Sequence, residues 1–154
     1  MQTVGFQFTK IHAERDPDYK KSSLQQDINF TNIEKTEIPI AKESEGLIVS
    51  FIYSLLYTDP DKSEKGEKSE KKTPHKNAEI TFEGKIILTA SKDEVKNITK
   101  DWKKKIVPNT LKIPLFNLIL KKCSIKAAQI EEDLSLPIHL PLPKIAPKEE
   151  KQEQ

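Results

Sequence analysis

Few side chains in this sequence stand where chemistry needs them. The three histidines, His12, His75 and His139, are far apart. None has a partner at the i, i+4 or Cys-x-x-Cys spacing that a zinc site uses. Cys123 is the single cysteine, so no intramolecular disulfide can form, which fits a reducing compartment. It falls on an apolar helical stripe and reads as a packing residue, not a nucleophile. Glu79 and Glu83 share one side of a strand, but no apolar pocket or third group accompanies them, so they read as a wet face. The four glycines are isolated and make no phosphate-cradling loop. No Ser/His/Asp or Cys/His arrangement stands out, and His139, between Ile138 and Leu140, reads as a partly buried packing residue. The expectation is a protein that is not an enzyme and holds no metal and no cofactor.

Composition narrows the remaining classes. The chain has 154 residues, 35% apolar and 32% charged, which is one domain with a modest core. Either part of it is disordered or another subunit completes the core. A net charge of +2 gives no reason to expect nucleic acid. The Lys/Glu bias fits a hyperthermophile and AT-rich coding equally well. The first residues, MQTVGFQFTK, lack a signal-peptide pattern, and no apolar run is long enough to span a bilayer. A soluble, cytoplasmic protein without membrane insertion is expected. The sequons at Asn29 and Asn97 then read as chance matches.

Alternation marks the strands. Val4, Phe6 and Phe8 alternate with polar residues, and a second strand is expected near Asp27–Ile33. Pro39 makes the following stretch an edge or irregular crossing segment. Leu47–Thr58 is the clearest central strand, with Leu47, Val49, Phe51, Tyr53, Leu55 and Tyr57 on one face and a partly apolar second face. Residues 59–77 form a Lys/Glu/Ser tract without an apolar anchor, expected to be a disordered hairpin loop. Ala78–Ala90 alternates best of all and should pair antiparallel with Leu47–Thr58.

Two helices follow. Ser91 and Glu94 form a capping box, and Val95, Ile98 and Trp102 share one face behind it. Lys103–Lys105 complements the dipole at the far end. Pro108 ends that helix, and Asn109 or Thr110 caps the next, with Pro114 tolerable only in its first turn. Phe116, Ile119, Leu120, Cys123, Ala127 and Ile130 line one face of this long helix. Leu111, Leu115, Leu118 and Ile125 line a second. One stripe suffices for a helix lying on a sheet, so the second is expected to meet a symmetry mate, with Leu111, Leu118 and Ile125 as oligomer contacts. Leu136, Ile138, Leu140 and Leu142 then alternate with Pro137, His139, Pro141 and Pro143, which must run extended. Residues 1–145 read as one α+β domain, and 146–154 as a disordered charged tail.

This order of elements resembles the SecB family of export chaperones. Phe6-Gln7-Phe8 through Ile11 is similar to the family's opening strand. Leu111-Lys112-Ile113-Pro114-Leu115 is similar to the apolar-Pro approach to its long helix. Leu136-Pro137-Ile138-His139-Leu140-Pro141 looks like its Leu-Pro-x-Leu-x-Pro segment. The family's glycine before that segment has no counterpart; Gln129–Asp133 stands there. No stripe suited to the family's C-terminal lid helix follows Pro143. The resemblance implies a four-stranded antiparallel sheet with a long helix on one face, and a dimer of dimers. It also implies unfolded or pre-secretory polypeptide held without ATP in apolar grooves. The groove residues would be Ile38, Ile40, Phe51, Tyr53, Tyr57, Leu115, Phe116 and Leu140. An adaptor for one dedicated protein, such as a toxin–antitoxin component, is the alternative on the same fold.

Overall fold

The computed structural model describes residues 1–20, 22–39, 43–64 and 73–146, with the backbone alone at 60–64, 73 and 74. Its four strands are β1 (Gln2–Arg15), β2 (Ser23–Thr36), β3 (Ser44–Glu64) and β4 (Thr73–Ser91). They form one antiparallel sheet in the order β1-β4-β3-β2. Helices α1 (Lys92–Lys103) and α2 (Asn109–Asp133) follow. The fold is α+β, as expected.

The period-two pattern sorts the sheet's faces. On β3, residues 47, 49, 51, 53, 55 and 57 are buried, and on β4 residues 78, 80, 82, 84, 86, 88 and 90. Both helices contribute to this core, through Val95 and Ile98 of α1 and the buried row of α2. The opposite face is half-exposed, with Ile48, Ile52, Leu56 and Ile87 set among serines, threonines and charges. Gly84 sits under the Phe51 ring, which is 1% exposed. A Cβ there would lie 2.6 Å from the ring and 2.6 Å from the Gln7 carbonyl oxygen.

Strand pairing continues into the hairpin tract. β3 and β4 keep pairing through Thr58↔Lys76, Asp59↔His75 and Glu64↔Thr73, so of the expected loop 59–77 only 65–72 lies outside the described residues. A ladder needs main-chain groups, which polar residues carry as well as apolar ones. Its base is tied down by polar contacts. Asp16 N–H donates to the Asn77 carbonyl at 2.7 Å, Asn77 Nδ2 donates to Ser22 Oγ at 2.6 Å, and His75 Nε2 lies 2.8 Å from Asp16 Oδ2. Of the expected tail, residues 147–154 lie outside the described residues.

The helix boundaries differ at one end. Ser91 caps α1 as expected: its Oγ accepts from Glu94 N–H at 3.3 Å, and its own N–H donates to Glu94 Oε2 at 3.0 Å. α2 instead has Pro108 at its cap, with no side-chain bond, so neither Asn109 nor Thr110 caps it. Pro114 is therefore the sixth residue of α2, beyond the first turn. Its missing N–H falls opposite Thr110, on an exposed surface where water can serve the carbonyl.

Gly84→Ala tests the sheet packing. Because the Gln7 carbonyl cannot swing away, the extra methyl should cost about 1–3 kcal/mol. The cost should appear as a lower midpoint in urea unfolding with an unchanged slope.

Candidate functional site

The region around the Leu-Pro segment is built on one row of α2. Leu111, Leu115, Ile119, Cys123, Ala127 and Glu131 recur every fourth residue, and all are buried. Each residue of such a row sits about one turn above the last, and the row winds slowly around the helix. Leu111 is thus 1% exposed and Leu115 3% exposed, both against the sheet. This corrects the assignment of Leu111 to a subunit contact. Leu118 is half-buried against the core, and Ile125 is 61% exposed. The two sequence stripes were divided wrongly because apolar residues nearly encircle the helix, so spacing alone did not choose its inner side.

Among the expected groove residues, Phe51, Tyr53, Tyr57 and Leu115 are buried in the chain's own core. Ile38, Phe116 and Leu140 are half-buried, and Ile40 lies outside the described residues. Ile38 sits where a Cβ on Gly46 would be, at 2.7 Å, so the crossing segment folds down on a residue without a side chain. Phe116 packs on Phe30 of β2, with ring centroids 5.0 Å apart. At the other end of α2, Arg15 Nη1 donates to the Leu134 carbonyl at 2.7 Å. That contact places a cation on the negative end of the helix dipole. α2 therefore crosses the sheet from β2 to β1.

After α2 the chain reverses through a serine. Ser135 has φ 54°, Leu136 N–H donates to the Glu131 carbonyl at 2.7 Å, and Ser135 N–H donates to the Glu132 carbonyl at 3.1 Å. This is a Schellman turn, usually made by glycine. Ser135 takes that position here in a left-handed conformation, which costs a non-glycine residue about 1–2 kcal/mol.

The reversal brings the Leu-Pro segment onto Glu131, whose side chain is 0% exposed. One carboxylate oxygen accepts the Tyr57 hydroxyl in a short hydrogen bond and also His139 N–H at 2.8 Å. The other accepts His139 Nδ1 in a second short hydrogen bond. With Nδ1 as donor, Nε2 is left to face the Tyr53 hydroxyl at 3.5 Å, and Gln26 Nε2 donates to that same hydroxyl at 2.8 Å. The Tyr57 hydroxyl also lies 3.1 Å from the Pro137 carbonyl oxygen. The hub ties β2, β3, α2 and the Leu-Pro segment together. A carboxylate buried this deeply is tolerable because three donors converge on it. Sequence reasoning passed over Glu131 because it stands beside Glu132 and Asp133 like any solvated helix end. The available signal was that it continues the every-fourth-residue apolar row.

Burial also sets the acidity of two neighbouring groups. It pushes the Cys123 thiol up from 9.0 to about 12. Tyr57 is raised above its ordinary 10.0, first by burial and then by its bond to Glu131. Elsewhere, His12, Glu14 and Glu79 approach one another at the surface. Lys76 already pairs with both carboxylates, at 2.9 and 2.7 Å.

Among the described residues no helix is long and apolar enough to cross a membrane. No family model matches the chain, and no curated protein matches it. Among solved structures, it is similar to a SecB-like chaperone of Mycobacterium tuberculosis in complex with a ChAD peptide from an antitoxin. The match covers 96% of this chain and 91% of that one, at 14% identity and a TM-score of 0.48.

Two outcomes follow from the hub. Glu131→Leu leaves both His139 donors without their acceptor and the Tyr57 hydroxyl with the Pro137 carbonyl alone, at a cost of about 3 kcal/mol. Hydrogen exchange at the His139 amide should be slow in the wild type and fast in the variant; equal rates would remove the hub as the anchor. The second outcome concerns alkaline stability. Cys123 and Tyr57 are acids held neutral in the fold, so only the unfolded chain releases their protons freely. Stability should be unaffected below pH 9 and decline as pH rises from 9 toward about 12. Urea midpoints across that range measure it, with Cys123→Ala showing a shallower decline.

Proposed function

We propose that this protein binds extended or unfolded polypeptide without nucleotide, as a SecB-like holding chaperone. The observation that carries the reading is the free edge of β2 beside a half-covered apolar row. β2 is the outermost strand, so one side of its backbone pairs with nothing in the sheet. On its helix-facing side Leu24 is 41% exposed, and Ile28 and Phe30 are half-buried. Phe116 lies over this row, and Leu140 follows directly on the His139 anchor. A client would add to the open edge through main-chain bonds and place alternate side chains on the row. Phe51, Tyr53, Tyr57 and Leu115 support the groove from beneath instead of touching the client. Ile38 flanks the row where β2 ends, and Ile40 stays with it in this proposal.

The outward side of α2 is assigned to contact between copies. Ile113 is 59% exposed and Ile125 61% exposed, and Leu118 borders them in this assignment. A dimer of dimers in the cytoplasm is the arrangement that goes with this reading. The second reading, an adaptor for one dedicated protein, is favoured by the small size of the row, which gives a long, heterogeneous client few anchors. Nothing in either reading calls for a catalytic step, a metal or a nucleic acid.

The deciding experiment is suppression of aggregation of a chemically denatured model protein at stoichiometric ratio, without ATP. The wild type should suppress it, and Leu24→Lys with Leu140→Lys should abolish suppression while leaving the circular dichroism spectrum unchanged. No suppression by a monomeric wild type would sink the chaperone reading. Indifference to generic clients with saturable binding of one protein would establish the adaptor.

A further inference from the structure

At the other end of β3 from Tyr53 and Tyr57 lies a separate cleft of about 570 Å³ between α1 and the sheet. Four of its lining residues, Lys92, Lys96, Lys100 and Lys103, come from α1. Their spacing of four, four and three residues stacks them on one side of the helix. Lys35 of β2 and Glu45 of β3 form the facing wall, paired at 2.6 Å. No ion pair joins the four α1 lysines to any described residue. Like charges at this spacing cost a helix about 0.2–0.5 kcal/mol per pair. The stacking therefore works against the isolated chain, and an anionic occupant would relieve it. Val95, also in the lining, is buried.

We propose that this cleft docks an acidic, extended polypeptide segment. Charge complementarity sets the sign, since five lysines outnumber Glu45 and Asp93 in the lining. Shape favours peptide over nucleic acid. Among the described residues no aromatic ring lines the cleft on which a base would stack. The methylene stems of the lysines offer the apolar contact that Glu side chains can use. α1 rises about 18 Å over its length, which an extended peptide spans in about six residues. Lys35 lies near the end of edge strand β2, so the same segment can run along free backbone groups. The site shares the free edge of β2 with the client-holding reading but uses none of the apolar row beside Phe116.

Fluorescence anisotropy with a labelled Glu-rich peptide about ten residues long, its Gln-for-Glu counterpart and a single-stranded oligonucleotide of similar length tests it. The acidic peptide should bind, weaken as salt is raised, and lose at least about tenfold in affinity in Lys96→Glu with Lys100→Glu. Both lysines are exposed, so the substitutions leave the fold intact, which circular dichroism checks. Lys85→Glu, on the opposite sheet face, should bind as the wild type does. Equal affinity for the Gln peptide, an unchanged affinity in the double variant, or tighter binding of the oligonucleotide would each overturn the assignment. Loss of aggregation suppression in Leu24→Lys with Leu140→Lys, with acidic-peptide binding retained, separates this site from the client row.

Discussion

One helix must cover a sheet that is wider than it is. α2 is about 10 Å across, whereas four strands at about 4.8 Å spacing span nearly twice that. Its every-fourth-residue row, from Leu111 to Glu131, is buried in the core. The edge strands receive what is left. Phe6 and Phe8 of β1, and Ile28 and Phe30 of β2, are packed against the core but only half-buried. α1 fills one end of the layer, and the Leu-Pro segment fills the other. The half-covered flank is thus a geometric remainder of this architecture, and it lies where a strand edge is also free.

Much of the sheet was legible because its signal is local. In Leu47–Thr58 and Ala78–Ala90 the side that would be buried followed from alternation alone, and residues 47 to 57 and 78 to 90 behave accordingly. The capping box at Ser91 was legible for the same reason: its two partners are three residues apart. What escaped was settled by contacts distant in sequence. The inner side of α2 was ambiguous because apolar residues flank both sides, and only the sheet decides between them. The added pairs beyond Thr58 were hidden by polar composition, since a ladder carries no compositional mark. Glu131 joins residues 74 and 8 positions away, Tyr57 and His139.

A carboxylate at the end of an otherwise apolar row has a specifying role that a leucine would lack. Apolar packing tolerates sliding, whereas Glu131 is satisfied only when Tyr57 and His139 arrive together. That condition fixes the register of α2 on the sheet and the path of the chain beyond it. Arg15 on the Leu134 carbonyl and Ser135 in its left-handed turn serve the same corner. Three costly features, a buried charge, an unusual serine and a buried guanidinium edge, are concentrated within a few residues of one another.

The prolines beyond that corner have a consequence for how the protein avoids itself. Pro137, Pro141 and Pro143 carry no N–H, and the His139 N–H is spent on Glu131. The backbone edge that these four residues share can therefore give no donor to a neighbouring strand. The segment shields side chains of the core without adding a strand to the described sheet.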